Sequence, residues 1–382
     1  MRKIATVILY TVFFLYVVTP IISAEEISPG DDFSFGDIRE YIPKEVLEEL
    51  PEDLFSAQGT DTADEVHKLL DVKEIFSFII SLFTSLLPGM LSGMAAIIGT
   101  VILASVFRTL SSSLKNDASS AAVNLAVGVV TILLLFSSQQ SIFEAVKRYL
   151  DKLIFFMSGM IPMMGGIYIL GGNVSSAAVH NGTTSLLLTI TESGTAYVLM
   201  PVLRVCFGFI LITTLSCGNV RLDGMIRAVK TVYTAILGVI TVVLVTILAS
   251  RNIIASAGDT FAMRTAKFAV GNIIPVVGGT ISDSLGTLSA GLTLIKNGAG
   301  VLGIVLIIFI TLPMIVTLLC NSMVLGFSSF VADVLGCDNE KKILSDCREL
   351  SGFALGLCTL SAVIFIFSVV VFVNTGLAVS GG

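Results

Sequence analysis

Charge is scarce along most of this 382-residue chain, so the ionisable side chains set inside apolar runs are the first candidates for chemistry. Arg204 lies well inside the apolar run 197–216. A charge there costs a few kcal/mol in lipid, roughly, unless it is paired, hydrated or close to the headgroups. Glu192 and Asp283 are the acids nearest by region. Arg204 therefore either lines a polar path or fastens two parts of the chain together, or it snorkels to the headgroups. Lys296 and Asp333 sit near the ends of apolar runs and read as snorkelling or loop residues. His67 and His180 are the only two histidines, too few for a dense metal or acid–base site, and each reads as solvated or locally bonded. No phosphate-binding Gly-x-x-x-x-Gly-Lys-Ser/Thr loop, His-Glu-x-x-His or Cys-x-x-Cys occurs. The sequence thus offers no catalytic, cofactor-binding or metal-binding residue, and the expectation is a protein that is not an enzyme. An ATP-driven motor, where one is needed, belongs to a partner.

The elements that position these residues are membrane helices. Hydrophobic residues make up 54% of the chain and charged residues 13%, against about 25% charged in soluble domains. The 34 glycines suit helices that approach closely in lipid, where packing holds neighbours together. The net charge of −6 hides a division. Residues 25–74 hold 16 acids and 4 bases, whereas 75–382 hold 12 acids and 16 bases, a mildly basic balance suited to loops beside an anionic inner leaflet. Residues 1–24 have the build of a secretory signal: Arg2 and Lys3, an apolar core, then Pro20 and Ile22-Ser23-Ala24 before a polar stretch. Cleavage after Ala24 delivers the acidic segment 25–74 outside the cytoplasm, and an uncleaved first helix is the alternative. Within that segment, Pro43 opens a short amphipathic helix candidate, 43–50.

A pattern recurs three times in the membrane region 75–382: a proline opening an apolar stretch, a polar loop with basic residues, and a second apolar stretch built on Gly-x-x-Thr. Pro88 is followed by Gly128, Pro201 by Gly238 and Pro313 by Gly356, at separations of 40, 37 and 43 residues. The corresponding apolar runs, 86–107 with 121–138, 197–216 with 232–250, and 298–319 with 353–373, approach the roughly 20 residues that cross a bilayer and read as three hairpins. Between them stand two related elements, Gly159-Met160-Ile161-Pro162-Met163-Met164-Gly165-Gly166 and, 113 residues later, Asn272-Ile273-Ile274-Pro275-Val276-Val277-Gly278-Gly279. Proline and paired glycines mark 153–170 and 268–281 as breakable, and broken backbone at membrane depth is tolerated only beside protein or a water-filled cavity. Pro162, Gly165, Gly166, Pro275, Gly278 and Gly279, with Arg204, are therefore the candidates for pathway or packing roles. The fold class is an all-α polytopic membrane protein.

Basic residues set the expected sidedness. If both broken elements re-enter the side they left, Arg108 and Lys115, Arg221, Arg227 and Lys230, and Lys341, Lys342 and Arg348 all fall in the cytoplasm. Single crossings instead put the Arg221 loop outside, so re-entry is the preferred arrangement. It leaves Lys147, Arg148 and Lys152, and also Arg251, Arg264 and Lys267, on the outer side, mixed with Glu144, Asp151 and Asp259 in stretches that read as interfacial helices. The six cysteines then lie in or on the cytoplasmic side of the membrane region, where disulfides are not expected.

The signal, the acidic segment, the run Leu86-Leu87-Pro88-Gly89-Met90-Leu91-Ser92-Gly93 and the paired Ile-Pro-x-x-Gly-Gly elements together resemble the stage III sporulation protein AE family of endospore-forming bacteria. The resemblance implies a multi-pass protein of the mother-cell membrane around the forespore. It implies partners in a complex joining the two cells, including an ATPase, ring-forming proteins and a forespore membrane protein. It assigns no functional residues. Two expectations of different kinds follow: a channel or permease core lined by the broken elements, or a scaffold that anchors other components and conducts nothing.

Overall fold

Apolar sequence in lipid must satisfy its backbone internally, and the chain does so with helices. The computed structural model describes the backbone of residues 72–113, 117–171, 173–215, 222–273 and 278–374, and side chains within 80–107, 109, 126–171, 173–214, 222–250 and 296–374. The expected signal, the helix candidate 43–50, Pro275, the Arg221 loop and the C-terminal glycines lie outside the described residues. The helices are α1 (Val72–Ser113), α2 (Asp117–Leu170), α3 (Val174–Ser193), a π-helical turn (Gly194–Leu199), α4 (Met200–Leu215), α5 (Asp223–Ile273), α6 (Gly278–Val334) and α7 (Asp338–Asn374). Six stretches are long and apolar enough to cross a membrane: Ile80–Phe107, Ala126–Leu170, Val174–Thr214, Asp223–Ser250, Lys296–Val334 and Asp338–Asn374. No strand occurs among the described residues.

The hairpin α6–α7 is the centre. Over their most apolar windows 56% and 61% of its residues are buried, against 17% in α1 and in α5, which are therefore peripheral. Its turn is set by Gly336 at φ 68, with Cys337 N–H donating to the Ala332 carbonyl (2.8 Å) and Gly336 N–H to that of Asp333 (3.1 Å). This pair of bonds closes a helix C-terminus on a left-handed residue, which glycine adopts without a Cβ penalty. The two helices then run antiparallel, Ser329 bonding to the Lys341 carbonyl near the turn and Asn321 to Ser351 further along. Three buried tyrosines fasten other helices to α7 by donating to its carbonyls: Tyr149 to Cys358 (3.1 Å), Tyr168 to Phe372 (3.2 Å) and Tyr233 to Phe353 (3.2 Å).

The first Ile-Pro-x-x-Gly-Gly element departs from expectation. It is neither broken nor re-entrant: α2 passes through Pro162 as one helix of 54 residues. Proline removes one backbone bond and usually bends a helix. Here Pro162 lies on the exposed face, while Leu153, Phe156, Met157, Met160 and Met164 bury the opposite one and hold the helix through it. Residues 144–152 likewise form no separate interfacial helix, because they are the middle of α2. Of the second element, α5 ends at Ile273 and α6 begins at Gly278, and the residues between lie outside the described set. The chain returns from α2 along α3, the π turn and α4. Pro201 explains the π turn: its ring excludes the carbonyl four residues back and it has no N–H, and widening the preceding turn relieves both, Met200 N–H reaching Thr195 five residues earlier.

Contacts at the turns order the ends of the bundle. Ser105 bonds to the Leu335 carbonyl (3.5 Å), Lys342 pairs with Asp223, and Lys230 pairs with Asp346 (2.7 Å) and Glu349 (2.8 Å). The turns after α1, α4 and α6 therefore share one end, and the α2–α3 turn shares the other with the end of α7. This matches the grouping expected from the basic loops, although the route between them differs. The Gly-x-x-Thr words share no packing role: a Cβ on Gly128 would meet only the Thr214 carbonyl at 4.0 Å, and on Gly238 or Gly356 it would meet nothing within 4 Å.

Candidate functional site

The polar residues of the described region gather at three heights along the bundle. At the turn end, Lys230 of α5 binds Asp346 and Glu349 of α7, and Lys341 binds Asp333 at 2.7 Å. Asp333 is thus a loop-end residue, as expected. The two Lys230 pairs hold the peripheral α5 to the central hairpin, and the Lys341–Asp333 pair closes the hairpin on itself. Five cysteines, Cys206, Cys320, Cys337, Cys347 and Cys358, are buried and form no disulfide among the described residues.

At the far end, the structure corrects one expectation and narrows another. Lys296 does not snorkel: it is 3% exposed, with Nζ 5.8 Å from the ring centroids of both Tyr168 and Phe372. Such a cation over aromatic faces is held by the ring quadrupoles. Of the two readings of His180, the locally bonded one fits and the solvated one does not: it is 1% exposed and edge-on to Tyr168 at 5.5 Å. Gly165 faces this end. A Cβ there would overlap the Asn181 amide of α3, so Gly165 is a close-packing position, whereas Gly166 would meet nothing within 4 Å.

The middle height was missed from sequence. Tyr149 of α2 donates to the Cys358 carbonyl and lies 3.2 Å from Thr311 Oγ1, so α2 around residues 144–151 stands beside the interior of the two most apolar spans. At this height the exposed face of α2 is polar. Glu144, Lys147, Arg148 and Asp151 recur at helical spacing and are all exposed, with Ser137 and Ser141 below and Ser158 above. Among exposed positions from 137 to 158, Phe155 alone is apolar. This polar length is about 32 Å at the helical rise, close to the hydrocarbon thickness of a bilayer. Gln140 donates to Glu144 Oε1 at 3.0 Å. Lys147, Arg148 and Asp151 form no ion pair among the described residues. By contrast, α1 and α5 expose apolar residues such as Leu103, Phe107, Val239 and Val242, as lipid-facing helices do.

Arg204 belongs to this level. Phe207 of α4 stacks on Phe136 (6.2 Å) and meets Phe143 edge-on (5.9 Å), which puts Arg204, one turn away and exposed, beside the charged stretch of α2. Glu192 is exposed and makes no ion pair with Arg204; the Asp283 side chain lies outside the described residues, as do those of Gly278 and Gly279's surroundings. An apolar cavity of about 180 Å³ lies between α1 and α2, lined by Thr100, Leu103, Phe107, Ala126, Val127 and Val130. It touches none of the expected pathway residues. The signal that finds the polar face is the exposed helical period over 137–158, which becomes readable once α2 is known to be one helix.

An all-helical bundle with six membrane-length apolar helices and a polar face at mid-height defines a multi-pass membrane protein. The family model described as Stage III sporulation protein AE matches residues 60–376, and the chain belongs to that family. It is similar to Stage III sporulation protein AE of Bacillus subtilis (strain 168), with 20% identity over 262 residues, 69% of this chain and 65% of that protein. The match thus spans just under two thirds of the relative's length. No solved structure matches.

Proposed function

We propose that this protein is a membrane core component of a channel complex between mother cell and forespore, residing in the mother-cell membrane and required for endospore development. Membership of a sporulation family over most of the chain carries this reading. The polar face of α2 supports it, since charges kept at the height of apolar spans are usually functional. The reading gives the chain no catalytic role, so its partners, an ATPase, ring-forming proteins and a forespore membrane protein, supply the work. Deleting the protein is expected to block spore development after engulfment, and the tagged protein is expected to co-purify with such partners. Normal sporulation of the deletion strain, with solute transport by the purified protein alone, would replace this reading with a stand-alone permease.

A scaffold that conducts nothing is the second reading. It is favoured by the interior: α2, α6 and α7 interdigitate through Leu153, Phe156, Met157, Leu306, Ile307 and Phe365, all fully buried. Flux measurements on the reconstituted complex separate the two.

A further inference from the structure

We infer that the acidic segment ahead of α1, through Asp61, Asp64, Glu65 and Lys68, docks on the charged face of α2 in its own chain. The face lies between two neighbours. Ala126, Val127 and Val130 of α2 line the cavity shared with α1, whereas Phe136 and Phe143 turn to Phe207 of α4. At about 3.6 residues per turn, Glu144, Lys147, Arg148 and Asp151 fall between these two sides. All four are exposed, Arg204 borders them on the α4 side, and half-buried Lys152 follows Asp151, so the face holds four bases against two acids. Lys147, Arg148 and Arg204 make no ion pair among the described residues. Side chains at the middle of a 54-residue helix cannot snorkel past its ends, and ionisable groups at membrane depth are usually paired with one another.

Position and charge name the occupant. Leu103 of α1 and Val127 of α2 line their shared cavity from opposite sides, and the two helices run antiparallel. Equal rises from that point set Val72, where α1 begins, level with Ser158. Residues 25–71 therefore join the bundle just above the charged face, and they hold 15 acids and 3 bases. The spacing matches as well. Asp61, Asp64, Glu65 and Lys68 repeat the steps of Glu144, Lys147, Arg148 and Asp151, which are three, one and three residues apart. Because α1 descends from Val72, a segment laid along α2 and ending there rises in the same direction as α2. In this register Asp64 meets Lys147, Glu65 meets Arg148 and Lys68 meets Asp151, each pair of opposite sign. Asp61 falls beside Glu144, at the level where Arg204 stands to receive it. Carried on at helical rise, the register brings Val72 opposite Phe155, within one turn of the level counted from the cavity. Residues 69–71 suffice for the reversal, since antiparallel helices are joined by about 2–5 residues. Attachment to the same chain favours this occupant over a separate partner through its effective concentration. The docking does not rest on the channel reading.

The test is photo-crosslinking of the full chain in native membranes, with benzoylphenylalanine in place of Ser141, an exposed position well below the top of α1. Mass spectrometry is expected to find Ser141 joined to residues 25–71 in a product of single-chain mass, with no such product from probes at Ile169 or Val242, which are exposed elsewhere on the bundle. Lys147→Glu with Arg148→Glu should lower the yield to that of these controls, and adding Asp64→Lys with Glu65→Lys should restore it. Asp64→Lys with Glu65→Lys alone, which leaves every α2 side chain in place, should show the same loss and serves if the α2 variant does not insert. No product at Ser141, equal product at Ile169 or Val242, a yield unmoved by the charge reversals, a product of doubled mass, or a product with lipid or a different polypeptide would each overturn the inference. None of these readouts uses spore counts or flux, so docking and the sporulation reading fail separately.

Discussion

Replacing three glycines by alanine tests whether the α6–α7 packing is as close as it looks. A Cβ on Gly300 would overlap Val373 and come within 3.9 Å of Phe372, one on Gly303 would approach Met160 Cε to 2.7 Å, and one on Gly356 would meet nothing within 4 Å. Alanine is the better helix former by about 0.8–1 kcal/mol, so each substitution begins with that gain. At Gly356 nothing opposes it, and a net gain of about 0.5–1 kcal/mol is expected. At Gly303 the obstacle is the tip of a methionine, an adaptable side chain, and the two effects should roughly cancel. At Gly300 the obstacle is a γ-methyl of valine, whose χ1 is nearly fixed in a helix, and overpacking of about 1–3 kcal/mol outweighs the gain. Thermal unfolding of the detergent-solubilised protein should therefore rank Gly356→Ala above wild type, Gly303→Ala near it and Gly300→Ala below. A Gly300→Ala variant as stable as Gly356→Ala would refute the close packing of α6 on α7.

Lys230→Met should destabilise by about 1–2 kcal/mol, less than a fully buried pair because the partner carboxylates retain some solvent, and adding Asp346→Asn with Glu349→Gln should recover most of the loss in the same melt. Gln139 is fully buried and its amide has no partner among the described residues, so Gln139→Leu should be neutral or stabilise by about 1 kcal/mol; a loss above that size would mean the amide is satisfied. Accessibility labelling in intact cells should put the turns after α1, α4 and α6 on the cytoplasmic side and the exposed Val174 at the α2–α3 turn on the other, and a cytoplasmic Val174 would refute that sidedness. Replacing Gly165-Gly166 with Leu-Leu should abolish function in a sporulation assay while leaving membrane insertion intact, and wild-type spore yield would remove the special role of the pair.

Composition by itself determined the class: a chain that is 54% hydrophobic must bury backbone polarity in lipid, and helices do this within one segment. The end-to-end grouping of the basic loops was also legible, because charge in loops follows sidedness whatever route the chain takes. The route was not. Pro162 and Gly165-Gly166 have the local chemistry of a break, yet whether a helix breaks depends on what packs against it, and Leu153, Phe156 and Met160 find partners only in the assembled bundle. The same ambiguity hid the site. Glu144, Lys147, Arg148 and Asp151 read as part of an interfacial helix while the apolar span was expected to stop near 138, and Lys296 read as a span-end cation until Tyr168 and Phe372, contributed by two other helices, closed over it. Hydrophobicity is a property of a segment and survives in the sequence. Which face a side chain meets, and at what height, is a relation between segments, and only the tertiary structure decides it.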